Sequence, residues 1–218
     1  MAFSLDYTRR LYDWWGRHGR FYRLISNLVL LGREDELRRA TVRCLGLSGG
    51  EAILDLACGN GANFPALQHK LGAQGRLIGL DYSETMLQAA SERVRHAGWK
   101  NVELVRADAA QPVFVAGGLD AALSTLALTA IPHHHAALDN VFSALHPGGR
   151  FAVLDASLFD NAARIFNPLL NLIFKYVTNW APERDLFADL ESRFDKVSVR
   201  DFNAGSIQLL CAQKGDNH

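Results

Sequence analysis

Apolar residues along this chain follow two rhythms, and the change between them falls near residue 50. Leu11, Trp14, Trp15, His18, Tyr22, Ile25, Leu28 and Val29 recur at helical spacing. Gly16, Gly19 and Gly32 weaken or segment that helix, and a second helix is predicted over about residues 34–45. Beyond Glu51, short apolar runs alternate with helical patterns. Strands are predicted at residues 52–57, 76–81, 102–107, 119–126 and 150–155. The helices between them carry Phe64, Leu67 and Leu71 behind an Asn63 cap, then Met86, Leu87, Ala90 and Val94 behind Ser83. A third helix carries Leu138, Val141, Phe142 and Leu145 and is stopped by Pro147-Gly148-Gly149. Such alternation implies right-handed crossovers and a parallel sheet covered on both faces. The last two runs, 197–202 and 206–213, are joined by a short turn with no room for a helix, so they pair antiparallel at one edge. The expected fold is a doubly wound, seven-stranded, mostly parallel α/β sheet with an N-terminal helical extension.

Composition changes this picture little. The chain has 218 residues, 49% hydrophobic and 21% charged, as for one globular domain. Lys+Arg and Asp+Glu both total 23, so no overall field marks a nucleic-acid binder. No run approaches the roughly 18 apolar residues of a spanning helix, and MAFSLDYTRR lacks the apolar core of a secretory signal. A cytoplasmic protein is expected. Cys44, Cys58 and Cys211 lie far apart with no CxxC pair, which predicts neither a disulfide nor a zinc framework. Charge is unevenly spread, however. Residues 1–50 hold nine arginines against five acids, leaving +4, and the remainder carries −4. A solvated helix face or a surface that meets something anionic both account for that.

The chemistry concentrates in Ile53-Leu54-Asp55-Leu56-Ala57-Cys58-Gly59-Asn60-Gly61. A strand ends in an acid and a glycine turn leads into a helix, at the strand end where doubly wound sheets bind ligands. Glycine lets the backbone come within contact of a ligand where a Cβ would clash. Twenty residues beyond Gly61, Asp81 ends the second strand, where an acid accepts both hydroxyls of a ribose. The third glycine of a dinucleotide fingerprint is missing, Phe64 standing in its place, and so is the G-K-[ST] of a phosphate loop. Asp55 would repel a pyrophosphate but suits the ammonium of an amino acid. Adenosine joined to an amino acid is S-adenosylmethionine.

Four segments in order, ILDLACGNGANF, LIGLDYSETML, VRADAAQ and LHPGGRFAVLD, resemble the class I S-adenosylmethionine-dependent methyltransferases over about residues 50–215. The resemblance implies that Asp55, Gly59 and Gly61, with Ala57, Cys58 and Asn63 in the same turn, border the methionine part of the cofactor. Asp81 then holds the ribose, Tyr82 and Met86 flank the adenine, Asp108 accepts from its amine beside Ala109, and Leu126 lies near the methionine. Residues 1–48 become a helical lid, and 49–218 the cofactor domain with a substrate-covering insert at about 160–193. Asn60 departs from the usual threonine. The stretch YDWWGRHGRFYRLISNLVLLGRE looks most like enzymes that methylate quinone precursors or the amine headgroups of lipids.

The acceptor is less legible. His133 and Tyr12 are the candidate catalytic residues, His133 taking the proton of an amine acceptor. Tyr7, Trp15, Tyr22, Phe166 and Leu170 are the candidate acceptor contacts, the aromatic rings offering faces to a cationic product. Residues 162–178 put Ile165, Phe166, Leu169, Leu170, Ile173, Phe174 and Val177 on one face, for a core, an apolar pocket or a membrane surface. Consecutive imidazoles at His133, His134 and His135 point different ways in a regular backbone, so no metal site is expected. The partner predicted is a small-molecule or lipid methyl acceptor, an amine-headed lipid ahead of a quinone precursor, with peripheral contact at the inner face of a membrane. An NAD-dependent oxidoreductase and a non-catalytic cofactor-binding module are the alternatives from other classes. No oligomeric state is implied.

Overall fold

The computed structural model describes residues 4–216, apart from the side chains of Ile173 and Tyr176. Seven strands form one sheet: β1 (Ala52–Leu56), β2 (Arg76–Asp81), β3 (Val102–Arg106), β4 (Leu119–Thr125), β5 (Leu145–Ala156), β6 (Lys196–Phe202) and β7 (Ile207–Gln213). Their spatial order is β3-β2-β1-β4-β5-β7-β6. The first five strands run parallel, and β7 lies antiparallel to both β5 and β6. This is the expected doubly wound sheet.

Buried on both faces, β1 needs apolar residues in sequence rather than alternation. Leu54 and Leu56 enter the core on one side with Leu138 and Val141. Ile53 enters the other with Phe64 and Leu67. Each such side chain contributes about 1.5–3 kcal/mol. The helices α4 (Phe64–Leu71), α5 (Glu84–Ala97) and α6 (His134–Ala144) occupy the crossovers. Ser83 caps α5 by accepting from the Met86 N–H, and Gly98 in the left-handed region closes it.

The N-terminal pattern resolves into α1 (Leu5–Arg17), α2 (Gly19–Val29) and α3 (Glu34–Cys44). Helix α1 starts six residues earlier than its apolar spacing suggests, because Ser4 accepts from the Tyr7 N–H at 3.2 Å. It crosses the start of α5, where Ser83 Oγ donates to the Asp13 carboxylate at 2.7 Å and Thr85 Oγ1 to the Asp13 carbonyl at 2.9 Å.

Three expectations are refined or corrected. The helix carrying Leu138, Val141 and Phe142 ends at Leu145, its C-cap, before Pro147-Gly148-Gly149, and those residues lie within β5, with a register shift between Leu119 and Ala121 of β4. Gly148 and Gly149 still bond the strand pair through Lys214, so glycine here serves a bulge. The 162–178 stretch is not one helix. It is a 3₁₀ segment at Ala162–Phe166, α7 (Asn167–Ile173) and a π turn at Phe174–Thr178, followed after a loop by α8 (Leu186–Glu191). Finally, Cys44 at the end of α3 and Cys211 in β7 form a disulfide, with Cα atoms 5.9 Å apart. They are 167 residues apart in sequence, so spacing carried no sign of a pairing that the folding of α3 onto the sheet creates.

Candidate active site

At the carboxyl edge of β1, β2 and β4 the chain encloses about 820 Å³ of empty space, part of it open to solvent. Ala57 and Leu126 leave β1 and β4 with φ of +54° and +56°. Such left-handed backbone is costly for residues with a side chain and clusters at ligand sites. Gly59 follows with φ +55°; a Cβ there would meet no protein atom nearer than the Met86 sulfur at 4.0 Å. Its face is open toward the cavity. Gly61 is different: its φ is +72° and a Cβ would stand 2.6 Å from the Phe64 ring. That glycine serves packing rather than the ligand.

Ala57, Cys58, Gly59, Asp81, Tyr82, Asp108, Ala109 and Leu126 line the cavity, whereas Asp55, Gly61, Asn63 and Met86 do not. The Asp81 carboxylate accepts from the Gly59 N–H at 2.7 Å and the Ser83 N–H at 2.8 Å, each oxygen keeping a lone pair for a ligand. Burial raises its pKa to about 6 against these bonds. Asp108 accepts from the Ala110 N–H at 3.0 Å. Burial, with Asp81 and Asp55 nearby, pushes the Cys58 thiol well above its ordinary range, in line with a packing role.

Behind this wall lies a polar network that the sequence reading missed. Asp55 is fully buried, and both its oxygens accept from Asn63 Nδ2 at 3.1 Å. The Asn63 side chain is spent there rather than on capping α4. Arg38, from α3, donates to Asn63 Oδ1 at 3.0 Å and Thr125 Oγ1 at 2.6 Å. Two further donations reach Glu34 Oε1 at 2.9 and 2.8 Å. Burial raises the pKa of Asp55 to about 7, the Asn63 bonds and Arg38 opposing it. Arg38 and Thr125 both line the cavity. The only signal in the sequence was an arginine on the apolar side of a helix beside Leu37 and Val42.

Helix α1 closes the cavity with Leu5, Thr8, Arg9 and Tyr12, and α2 adds Tyr22. The Tyr12 hydroxyl donates to the Thr178 carbonyl at 3.3 Å and accepts from Trp180 Nε1 at 3.0 Å. Burial raises its pKa well above 10, so it is no base at neutral pH. Burial likewise pushes Tyr22 up to about 12. Tyr12, Tyr22 and Leu126 also border a second, narrow space, continued by Trp15, Ile25, Ser26, Val29, Thr178 and Trp180 and wide enough in this conformation for about one water molecule. It is an apolar annex to the cavity.

Several acceptor candidates fall elsewhere. His133 is exposed and outside the cavity, although Ile131 and Pro132 of the same loop line it. Tyr7 is exposed and Phe166 is 55% exposed, while Leu170 packs into the core beside Leu30 and Phe174. The adjacent imidazoles do not diverge as expected: His134 Nε2 and His135 Nδ1 meet the two oxygens of Asp189 at 3.1 and 3.5 Å. The first turn of α6 faces α8 there, which sequence spacing does not reveal.

The family model of the ubiE/COQ5 methyltransferase family matches residues 18–205. The chain belongs to that family. Demethylmenaquinone methyltransferase of Lactococcus lactis subsp. lactis is 30% identical over 195 residues, covering 89% of this chain and 77% of that protein. A methyltransferase structure from Aquifex aeolicus has a TM-score of 0.64 at 21% identity, covering 86% of this chain and 92% of that one. Geranyl diphosphate C-methyltransferase of Streptomyces coelicolor, solved with S-adenosyl-L-homocysteine, has a TM-score of 0.67 at 15% identity, covering 83% and 76%. This ubiE/COQ5-type chain is an S-adenosylmethionine-dependent methyltransferase, and the oxidoreductase and non-catalytic alternatives are set aside. Its cavity suits the cofactor: Asp81 retains lone pairs facing the space, and the Gly59 face is unobstructed.

Proposed function

We propose that this methyltransferase methylates the ring of a quinone precursor bearing an apolar tail. The apolar annex carries the reading. It joins the cofactor cavity at Tyr12, Tyr22 and Leu126 and is walled by Trp15, Ile25, Val29 and Trp180. Side chains there have to move apart to admit a tail, which then gains about 0.8 kcal/mol per buried methylene. The relatives named for demethylmenaquinone favour this acceptor over the amine-headed lipid that sequence alone put first.

Bound S-adenosylmethionine supplies a methyl group on a sulfonium, electrophilic enough for an electron-rich ring carbon. The chain's task is therefore orientation and exclusion of water. Asp81 holds the ribose hydroxyls and Asp108 the adenine edge, while Leu126, Ala127 and Ala130 keep that end dry. The ring lies between these and Tyr22. The Tyr22 phenol, protonated at neutral pH because burial holds it near 12, donates to the ring oxygen as charge develops. The ring hydroxyl proton leaves to water at the mouth as the ring carbon takes the methyl group and S-adenosylhomocysteine is released. The hydrogen on that carbon then passes through water to the ring oxygen, restoring the aromatic quinol. Asp55 and Asn63 act through Arg38 and Thr125, fixing the wall. Residues 1–48 serve as the cover and 49–218 as the cofactor domain.

The test is methyl transfer from labelled cofactor to a short-tailed prenyl naphthoquinol kept reduced, followed by mass spectrometry, with phosphatidylethanolamine as comparator. Methylated quinol is expected. Label in phosphatidylethanolamine and none in the quinol would overturn the assignment.

A further inference from the structure

The +4 excess of the first fifty residues acquires a location in the fold. Arg23 of α2, Arg39 and Arg43 of α3, Lys70 of α4 and Arg93 of α5 border one open groove, which shares Arg38 and Ala62 with the cofactor cavity. Glu34 and Asp35 are its acids, and Glu34 is already held by Arg38. Among the described residues, Arg23, Arg39, Arg43 and Lys70 form no ion pair within 4.0 Å. Burial and the neighbouring cations Arg23 and Arg38 hold Arg93 below the ordinary arginine range. Four cations on three helices without a close carboxylate partner, set against the single unpaired Asp35 of the lining, leave the groove positive and suited to phosphate.

Beside Arg23, the same helix exposes large apolar side chains where water would otherwise be met by polar ones. Phe21, Leu24 and Leu28 are 48%, 61% and 67% exposed, and Leu31 just beyond α2 is 66% exposed. The insert is tied to the same end of α2. The turn between β6 and β7 receives Asn161 from the 3₁₀ segment, its Nδ2 donating to Ala204 O, and Asn203 of that turn donates to Val29 O of α2. Ile165 and Leu169, 74% and 57% exposed, follow Asn161. An apolar ridge flanked by cations is the signature of a segment lying in a bilayer interface.

We propose that α2 and the arginine groove dock this protein on an anionic bilayer, the ridge entering the acyl boundary and the groove gripping lipid phosphates. The complement is both apolar and anionic, which a soluble phosphate ligand would not satisfy. Helix α2 also roofs the annex through Tyr22, Ile25 and Val29, so docking sets the acceptor's tail against the membrane that holds it. This last link rests on the quinone reading; the docking itself does not.

Co-sedimentation of the full chain with vesicles of phosphatidylglycerol and phosphatidylcholine is the test, at low and at 0.5 M salt. Binding is expected with phosphatidylglycerol only, and to be lost in salt. The exposed pair Arg39→Glu and Arg43→Glu is expected to lower partitioning by more than about 25-fold, about fivefold for each cation lost and more for the repulsion of each new carboxylate. Leu24→Ser with Leu28→Ser is expected to release the protein as well, with circular dichroism unchanged in both variants. Absence of binding at low salt, or equal binding to phosphatidylcholine, would overturn the docking. So would inorganic pyrophosphate binding the groove with no vesicle binding. Methylation of a detergent-dispersed quinol reports separately: its failure with docking intact counts against the acceptor, not the surface.

Discussion

Replacing Asp81 by alanine removes a carboxylate of the cavity wall that two backbone N–H groups hold in place. Its oxygens already accept from Gly59 N–H at 2.7 Å and Ser83 N–H at 2.8 Å, and the remaining lone pairs are those we propose to receive the ribose hydroxyls. A hydrogen bond to a charged group contributes about 1.5–3 kcal/mol net. Losing the ribose pair therefore weakens cofactor binding by about 3 kcal/mol, or Kd by roughly 100-fold. The sign of the pH effect follows from the same carboxylate. Burial raises its folded pKa to about 6, so below that pH it is protonated and a poorer acceptor. Wild-type affinity should fall about tenfold from pH 7.5 to pH 5, and the alanine variant should lack that component. Isothermal titration with S-adenosylmethionine and S-adenosylhomocysteine reads both effects, with circular dichroism to confirm the fold. A variant Kd within twofold of wild type, in a folded protein, would refute the placement of the ribose at Asp81.

Other consequences follow from the buried network and the cysteines. Arg38→Met strands Glu34, Asn63 and Thr125 and should cost about 3–5 kcal/mol in urea unfolding; a loss below about 1 kcal/mol would contradict the network. Asp55 keeps in the fold a proton that the unfolded chain releases, since its pKa is raised to about 7. Stability should therefore decline as pH rises from about 4 to 7, by on the order of 4 kcal/mol for this group, and Asp55→Asn should flatten that slope. Tyr22→Phe should lower kcat/KM for the quinol by about 10–100-fold, with cofactor Kd unchanged, through loss of one oxyanion donor. Denatured without reductant, the chain should titrate one thiol, Cys58, and three after reduction. Reduction should cost about 5 kcal/mol on the chain-entropy scale for so long a loop, and three thiols before reduction would exclude the Cys44–Cys211 bond.

What the sequence determined by itself is whatever depends on neighbours along the chain. Gly59 and Asp81 are readable because a strand end, a tight turn and a helix start are local events, and because parallel strands bring β1 and β2 side by side in a fixed order. The run of strands and crossovers settles the sheet for the same reason. Contacts between distant segments were decided only by the tertiary structure. Arg38 reaches Thr125 across 87 residues, and no periodicity on α3 foretells an acceptor at the end of β4. Asn63 looks like a cap in sequence and becomes a ligand of Asp55 once α4 is laid on the sheet. Cys44 finds Cys211 only after α3 packs beside β7. The aromatic residues of α1 and α2 divide in the same way: helical spacing puts Trp15 in the annex and leaves Trp14 and Phe21 outside it, partly exposed against the Trp15 ring, because spacing defines a face but not what that face meets.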